Sequence, residues 1–189
     1  PAAAAMRAAW PDVRLDWVVD GRYAALLELV PVINRTIVLG GRDGMTLLSV
    51  IRALRRARYD LAIDFQGLLK SAALARLAGA RETAGFIPGQ LREPLAGAFY
   101  TRRVPADDSG HVVRKNLSLV EALGVAARDV ASPLKVSPSA VPGQVGRLLR
   151  IGGGDRSSVI NPVAGWPNKQ CTADRFVAIA VRLLVRHRV

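Results

Sequence analysis

Apolar and polar positions change period along the chain, from short runs typical of strands to the spacing typical of helices. The strand-like runs are Arg14–Asp20, Thr36–Leu39, Leu61–Phe65 and Glu82–Phe86. The helix-like segments are residues 1–10, 22–30, 47–54, Leu69–Ala78 and Val112–Leu123, and glycines follow the last two, at 79 and 124. Strands that alternate with helices predict an α/β fold, a parallel sheet with helices on both faces.

The composition changes after this alternating region. Three prolines (133, 138 and 142) and a glycine triplet (152–154) fall in one short stretch. We interpret residues 131–157 as a linker between domains that holds one short helix near residues 144–150. The first domain then spans residues 1–130.

A second α/β unit begins at residue 158. Its strand is Val159–Pro162, a loop follows, and a helix runs from Thr172, the predicted N-cap, to about His187;. One strand–loop–helix unit has too little sheet to bury its own face. The chain also opens on a helix with no strand or methionine before it, so we expect both domains, 1–130 and 158–189, to be incomplete.

Charge and composition exclude some classes of protein. The chain has 27 Lys and Arg against 15 Asp and Glu, a net charge of +12, and half of its residues are hydrophobic, which excludes a disordered chain;. Its single cysteine, Cys171, excludes a disulfide scaffold;. The charge is compatible with nucleic acid, anionic lipid or phosphorylated small molecules. The densest basic cluster, Arg52 to Arg58, favours a solvated helix face;.

The first segment with candidate chemistry is Tyr59–Ala72, YDLAIDFQGLLKSA. Asp64, Gln66 and Gly67 lie at the carboxyl end of the predicted strand Leu61–Phe65, the edge where open α/β sheets bind ligands. Lys70 falls in the first turn of the next helix, where a cation opposes the helix dipole. Contact with an anion would explain that position. A solvated lysine, paired with Asp64 to tether the loop, explains it equally well.

The second such segment is Val159–Phe176, VINPVAGWPNKQCTADRF. A turn at Gly165 and a lysine, Lys169, stand before a helix N-terminus, a combination that suits a diphosphate. An ordinary strand-to-helix loop is the alternative. Neither the Walker A pattern nor the G-x-G-x-x-G fingerprint is present;.

Together these segments resemble glycosyltransferase family 9, the ADP-heptose:lipopolysaccharide heptosyltransferases. The resemblance covers nearly the whole chain, and the matching pieces follow the order found in the family. They are RLDWVVD (Arg14–Asp20), YDLAIDFQGLLKSA (Tyr59–Ala72), REPLAGAFYTRR (Arg92–Arg103), HVVRKNLSLVEALG (His111–Gly124) and NPVAGWPNK (Asn161–Lys169).

The resemblance implies a GT-B-like bacterial enzyme with two Rossmann-like domains. The N-terminal domain would bind a lipid-linked acceptor, Kdo–lipid A, and the second domain would bind ADP-heptose. Transfer would invert the anomeric centre without a metal or other cofactor. The enzyme would be cytoplasmic, with peripheral contact to the inner membrane, and nucleic acid would not be a partner.

The resemblance also implies roles for individual residues. Gly165 and Lys169 would hold the donor diphosphate. The residues on the acceptor side would be Arg42, Gln66, Lys70 and Arg92. For Arg42 and Arg92, a surface or fold-stabilising role is as well supported by the residues alone.

The family's general base is an aspartate in a loop that would precede Pro1. We therefore expect no catalytic residue here and no transferase activity from this chain alone. Cys171 stands where the family usually has tryptophan, and His111 is interpreted as structural. Two other classes remain as alternatives: a basic nucleic-acid-binding module, which the low aromatic content disfavours, and a Rossmann dehydrogenase fragment, which the missing fingerprint disfavours.

Overall fold

A computed structural model describes residues 1–40, 45–108, 110–127, 134–135 and 172–187. The chain divides into two compact units, Pro1–Val136 and Ser137–Val189. The predicted linker helix near residues 144–150 and the predicted strand Val159–Pro162 lie outside the described residues.

The strands of the first unit are all parallel, as the alternating pattern predicts. They are β1 (Asp16–Asp20), β2 (Arg35–Leu39), β3 (Leu61–Ile63), β4 (Glu82–Phe86) and β5 (Arg102–Val104). β1 pairs with β2, and β4 lies between β3 and β5. The sequence pattern did not predict β5.

The described strands form two sheets, whereas the pattern predicts one. Side chains, not a hydrogen-bond ladder, hold β1 beside β3. The Tyr59 hydroxyl, just before β3, donates to Asp16, the first residue of β1, at 2.5 Å. The Trp17 and Phe65 rings stack with centroids 5.9 Å apart.

The helices of the first unit are α1 (Ala2–Ala9), α2 (Ala24–Glu28), α3 (Leu47–Ala57), α4 (Leu69–Leu77) and α5 (Val112–Ala122). Short 3₁₀ helices span Gly21–Tyr23, Pro88–Gln90 and Pro94–Phe99. The predicted helix at 22–30 is shorter than expected because its first turn is 3₁₀, with the Asp20 carboxylate accepting a hydrogen bond from the Arg22 backbone N–H. In the second unit, α6 (Ala173–His187) begins directly after Thr172.

Helices cover both faces of the first unit, as predicted. Successive strand residues point to opposite faces. Trp17 stacks on Phe65, which packs against a core cluster of α1 and α5 that includes Met6 and Leu117. The next residue, Val18, packs instead against a cluster that contains Val50 of α3.

The basic cluster on α3 is the solvated helix face that the pattern favours. Arg52, Arg55 and Arg56 are exposed, while Val50 and Leu54 of the same helix are buried. In the part of the chain that the structure describes, no helix has the length and hydrophobicity needed to cross a bilayer.

Candidate functional site

A buried polar cluster lies at the carboxyl end of β3, around Asp64. This side chain is buried, with only 5% of the residue exposed. Its carboxylate accepts hydrogen bonds from the Gln66 backbone N–H at 2.8 Å, the Ser71 hydroxyl at 2.8 Å and the Tyr100 hydroxyl at 2.7 Å. The Gly67 N–H adds a longer bond of 3.4 Å. Asp64 thus fixes both ends of the turn between β3 and α4.

The alternative in which Asp64 pairs with Lys70 is wrong. Among the described residues, the carboxylate's partners are hydroxyl and backbone N–H groups, and no salt bridge joins it to Lys70. A buried carboxylate can be satisfied by such donors without a cation. Lys70 is therefore left exposed at the start of α4.

Tyr100 is the distant partner that closes this cluster. The residue is 4% exposed and belongs to a small core with Ala72 and Ala96. Burial raises the pKa of the Tyr100 phenol well above its usual range, and the hydrogen bond and electrostatic interaction with Asp64 raise it further. The phenol therefore stays protonated and keeps donating to Asp64.

We expect Tyr100→Phe to flatten the loss of stability at alkaline pH. Unfolded tyrosine ionises near pH 10. Because folding raises the pKa of Tyr100, its contribution is complete below about pH 10 and is lost as the pH rises further;. Melting temperatures at pH 8 to about 11 should fall less steeply in the variant. The variant's melting temperature should still fall somewhat as the pH rises, since burial also raises the pKa of Tyr59.

The control for this experiment is Tyr23→Phe, which changes an exposed tyrosine. The Tyr23 variant should keep the wild-type slope. Equal flattening in the two variants would contradict the assignment of the effect to burial against Asp64.

The first turn of α4 is capped by a carboxylate from a different segment. The Leu69 backbone N–H donates to Glu93 at 2.6 Å, and the Ser71 hydroxyl accepts a bond from the Leu68 N–H at 3.3 Å. A carboxylate at this position compensates the free N–H groups and the helix dipole. Glu93 thus occupies part of the helix end at which the sequence suggests an external anion.

Gly67 brings the β3–α4 turn against the segment that contains Arg92. Its φ of +67° is in the left-handed region, which favours glycine;. A Cβ here would lie 2.8 Å from Leu91 Cδ2, and the Gly67 carbonyl accepts a hydrogen bond from the Glu93 N–H at 3.1 Å. The turn therefore lies against the segment of Arg92, and Gln66, Lys70 and Arg92 are all exposed.

The carboxyl end of β1 lies near the start of α4. Hydrogen bonds from Arg22 lower the pKa of Asp20, the last residue of β1, to about 2, and the positive charge of Lys70 lowers it as well. Lys70 is therefore within electrostatic range of Asp20. Since Tyr59 and Asp16 join the opposite ends of β3 and β1, the two sheets end along one shared edge, here called the carboxyl edge.

Three of the predicted acceptor-side residues, Gln66, Lys70 and Arg92, lie on two segments that the structure packs against each other. The remaining predicted residues, Arg42, Gly165 and Lys169, lie outside the described residues, as does Cys171.

His111 has the structural role expected of it. It precedes α5, and its Nδ1 atom accepts a hydrogen bond from the Val113 N–H at 3.2 Å. The described residues contain no group of three or more His, Cys, Asp or Glu side chains arranged to hold a metal ion.

Sequence reasoning missed three contributors to the site: Ser71, Glu93 and Tyr100. The last two belong to the quoted segment REPLAGAFYTRR, in which only Arg92 was singled out. Their contacts span 24 and 36 residues, so no local spacing reveals them.

Comparisons with known proteins agree on one family. The model of glycosyltransferase family 9 (heptosyltransferase) matches residues 47–187. Lipopolysaccharide heptosyltransferase 1 of Pseudomonas aeruginosa is 35% identical over 129 residues, which are 63% of this chain and 36% of that protein. The Escherichia coli K12 protein of the same name is 31% identical over 129 residues, 63% of this chain and 40% of that protein. The chain thus spans well under half the length of these curated relatives.

Solved structures give the same result. E. coli heptosyltransferase WaaC with ADP-2-deoxy-2-fluoro heptose superposes with a TM-score of 0.64 at 25% identity, covering 97% of this chain and 60% of that one. A family 9 glycosyltransferase from Veillonella parvula gives a TM-score of 0.68 at 21% identity over 94% of this chain and 53% of that one, which is a likeness of fold.

Proposed function

Because this chain belongs to glycosyltransferase family 9, we propose that it forms the acceptor side and the first donor loop of a heptosyltransferase of lipopolysaccharide core biosynthesis. The donor is ADP-heptose, and the acceptor is the anionic Kdo–lipid A inner core. The observation that best supports the acceptor side is the placement of Gln66, Lys70 and Arg92 around the Gly67 turn.

These three side chains suit an anionic sugar. The Lys70 ammonium and the Arg92 guanidinium carry positive charge, and a guanidinium can bind a carboxylate through two parallel hydrogen bonds. The Gln66 amide can donate to or accept from a sugar hydroxyl. The neighbouring carboxylates do not neutralise the cations fully, because Asp20 is bonded to Arg22 and Glu93 to the Leu69 N–H.

The proposed reaction is an inverting transfer that needs no bound metal. A base deprotonates an acceptor hydroxyl as its oxygen bonds to the anomeric carbon, and the bond from that carbon to the ADP oxygen breaks. None of the residues of this chain is assigned as that base. Gly165 and Lys169 would hold the diphosphate, with the Lys169 charge opposing the negative charge that develops on ADP.

The proposed domain arrangement assigns the acceptor and the donor to different domains. Residues 1–130 bind the acceptor, 131–157 link the domains, and 158–189 begin the donor domain. Because the acceptor is a lipid of the inner membrane, the enzyme is proposed to work in the cytoplasm at the inner leaflet.

The test of the acceptor side is a titration with free Kdo, followed by calorimetry at low salt. We expect Lys70→Gln and Arg92→Gln each to weaken binding about tenfold, the size of one lost charge-assisted hydrogen bond. The matched control is Arg52→Gln, an exposed arginine on α3, which should bind like wild type. An equal loss of affinity with Arg52→Gln would show that binding depends on the net charge and not on these two side chains. If wild type does not bind free Kdo, the acceptor assignment is contradicted.

A further inference from the structure

Lys115 of α5 is a partly buried cation that has no role in the proposed function so far. Its side chain is 22% exposed, and its Nζ atom donates to the Gln90 carbonyl oxygen at 2.7 Å and lies 2.8 Å from Asp108 Oδ1. The same atom lies 5.0 Å from the centroid of the buried Phe86 ring. Since a charge removed from water is costly unless it is paired, these three contacts hold the ammonium group in one place.

The contacts of Lys115 join the loops that follow two neighbouring strands at the carboxyl edge. Phe86 is the last residue of β4, Gln90 lies in the 3₁₀ helix after β4, and Asp108 lies after β5. Two further hydrogen bonds connect these loops, because the Gln90 amide donates to the Ala106 carbonyl at 2.8 Å and accepts from the Ala106 N–H at 2.6 Å. Helix α5 is therefore tied through Lys115 to both loops.

The carbonyl that Lys115 binds lies two residues before Arg92. On the other side of Arg92, the Glu93 N–H donates to the Gly67 carbonyl at 3.1 Å. The backbone of Arg92 is thus held from one side by the Gly67 turn and from the other by the bond between Lys115 and Gln90. The Arg92 side chain itself is exposed.

We propose that Lys115 is a positioning residue for the acceptor side, because its charge holds the Gln90 carbonyl and thereby the backbone that carries Arg92. The inference rests on the proposed function, in which Arg92 binds the anionic acceptor. Lys115 acts from a distance, since its ammonium group is already occupied by the Gln90 carbonyl and the Asp108 carboxylate. A hydrogen bond from a charged donor is stronger than a neutral one, so the charge is the property that the role requires.

The experiment measures the affinity for free Kdo and the exchange of backbone amides in the 189-residue chain. Lys115→Met keeps a long side chain without the charge and should weaken Kdo binding about fivefold, a size typical of coupling within one network. The Leu91 and Glu93 amides should exchange faster in this variant, because the segment opens more readily. Lys115→Arg can bond the same carbonyl and carboxylate and should bind within about twofold of wild type.

Arg102→Met is the matched control. Arg102 also contacts a backbone carbonyl and a carboxylate, those of Ala122 and Glu82, but it begins β5 and so lies at the end of that strand away from the carboxyl edge. Arg102→Met should keep the wild-type affinity for Kdo and the wild-type exchange of Leu91 and Glu93, even where its melting temperature falls. Circular dichroism verifies that each variant is folded, and Lys115→Gln, a smaller change that keeps a donor, replaces Lys115→Met if the latter does not fold.

The double variant Lys115→Met/Arg92→Gln separates positioning from a general loss of stability. It should bind Kdo no more weakly than Arg92→Gln alone, because Lys115 acts through Arg92. Losses that add in the double variant, or an equal loss in Arg102→Met, would overturn the proposal. Wild-type affinity in Lys115→Met, with binding still weakened in Arg92→Gln, would reject the role of Lys115 and leave the acceptor assignment intact. Absence of Kdo binding by the wild-type chain would instead contradict the proposed function and this role with it.

Discussion

Asp64→Asn is expected to lower the free energy of unfolding by about 2–4 kcal/mol, because hydrogen bonds to a charged acceptor contribute about 1.5–3 kcal/mol each and several are weakened together. The amide keeps one accepting oxygen, so its NH₂ group faces either the two hydroxyls, which both donate to Oδ2, or the Gln66 N–H, which donates to Oδ1;. In the wild-type protein both hydroxyls donate to Asp64, which is buried and has little access to water. Urea denaturation at neutral pH measures the change.

Asp60→Asn is the control, because Asp60 lies just before the same strand but in water. Its ion pair with Arg81 joins side chains that are 83% and 86% exposed. Such pairs contribute little, so the change should stay within about 0.5 kcal/mol. A similar loss in the two variants would show that Asp64 contributes no more than a surface carboxylate.

The Asp64 variant also connects stability to binding. Asp64 lies beneath the turn and positions Gln66 and Lys70 through the backbone N–H of Gln66 and the hydroxyl of Ser71. We expect the folded Asp64→Asn protein to bind free Kdo more weakly although the substituted atom does not touch the sugar. Tyr100→Phe, which leaves the Gln66 and Ser71 bonds in place, should retain more of that affinity.

The sequence predicts most of the fold because its signals are local. Apolar spacing identifies four of the five strands described in the first unit, and Gly79 and Gly124 mark the ends of α4 and α5. β5 was missed because two of its three residues, Arg102 and Arg103, are exposed arginines. An edge strand of this kind has no alternating apolar face that a pattern could detect.

The candidate site is predictable only in part, because sequence patterns report local structure and part of the site is formed by long-range contacts. Position after β3 is enough to bring Gln66 and Lys70 to the edge at which open α/β sheets generally bind ligands. Their relation to Arg92 depends on Gly67 fitting against Leu91, a long-range contact. The hydrogen bond from Tyr100 to Asp64 likewise depends on how the chain packs around β4, which the sequence pattern does not encode locally.

Gly85→Ala should destabilise the protein by about 3 kcal/mol, through that same packing around β4, because overfilling a tight core costs about 1–3 kcal/mol and a displaced hydrogen bond adds to it. Gly85 lies inside β4 under the Tyr100 ring, and a Cβ there would be 2.3 Å from the nearest ring atom. The ring has little room to move, since Ala72 and Ala96 pack around it. Moving it would pull the phenol away from Asp64.

Gly89→Ala provides the matched control for this prediction, since a Cβ at Gly89 would meet no atom within 4 Å. Its effect on urea denaturation should be within about 0.5 kcal/mol. Tyr100→Leu then tests the cause: with the ring removed, adding Gly85→Ala should cost at least about 1 kcal/mol less than it does in wild type, the coupling expected of residues in contact. An unchanged cost would mean that the strain at Gly85 arises in the β4 backbone itself and that Tyr100 does not transmit it to Asp64.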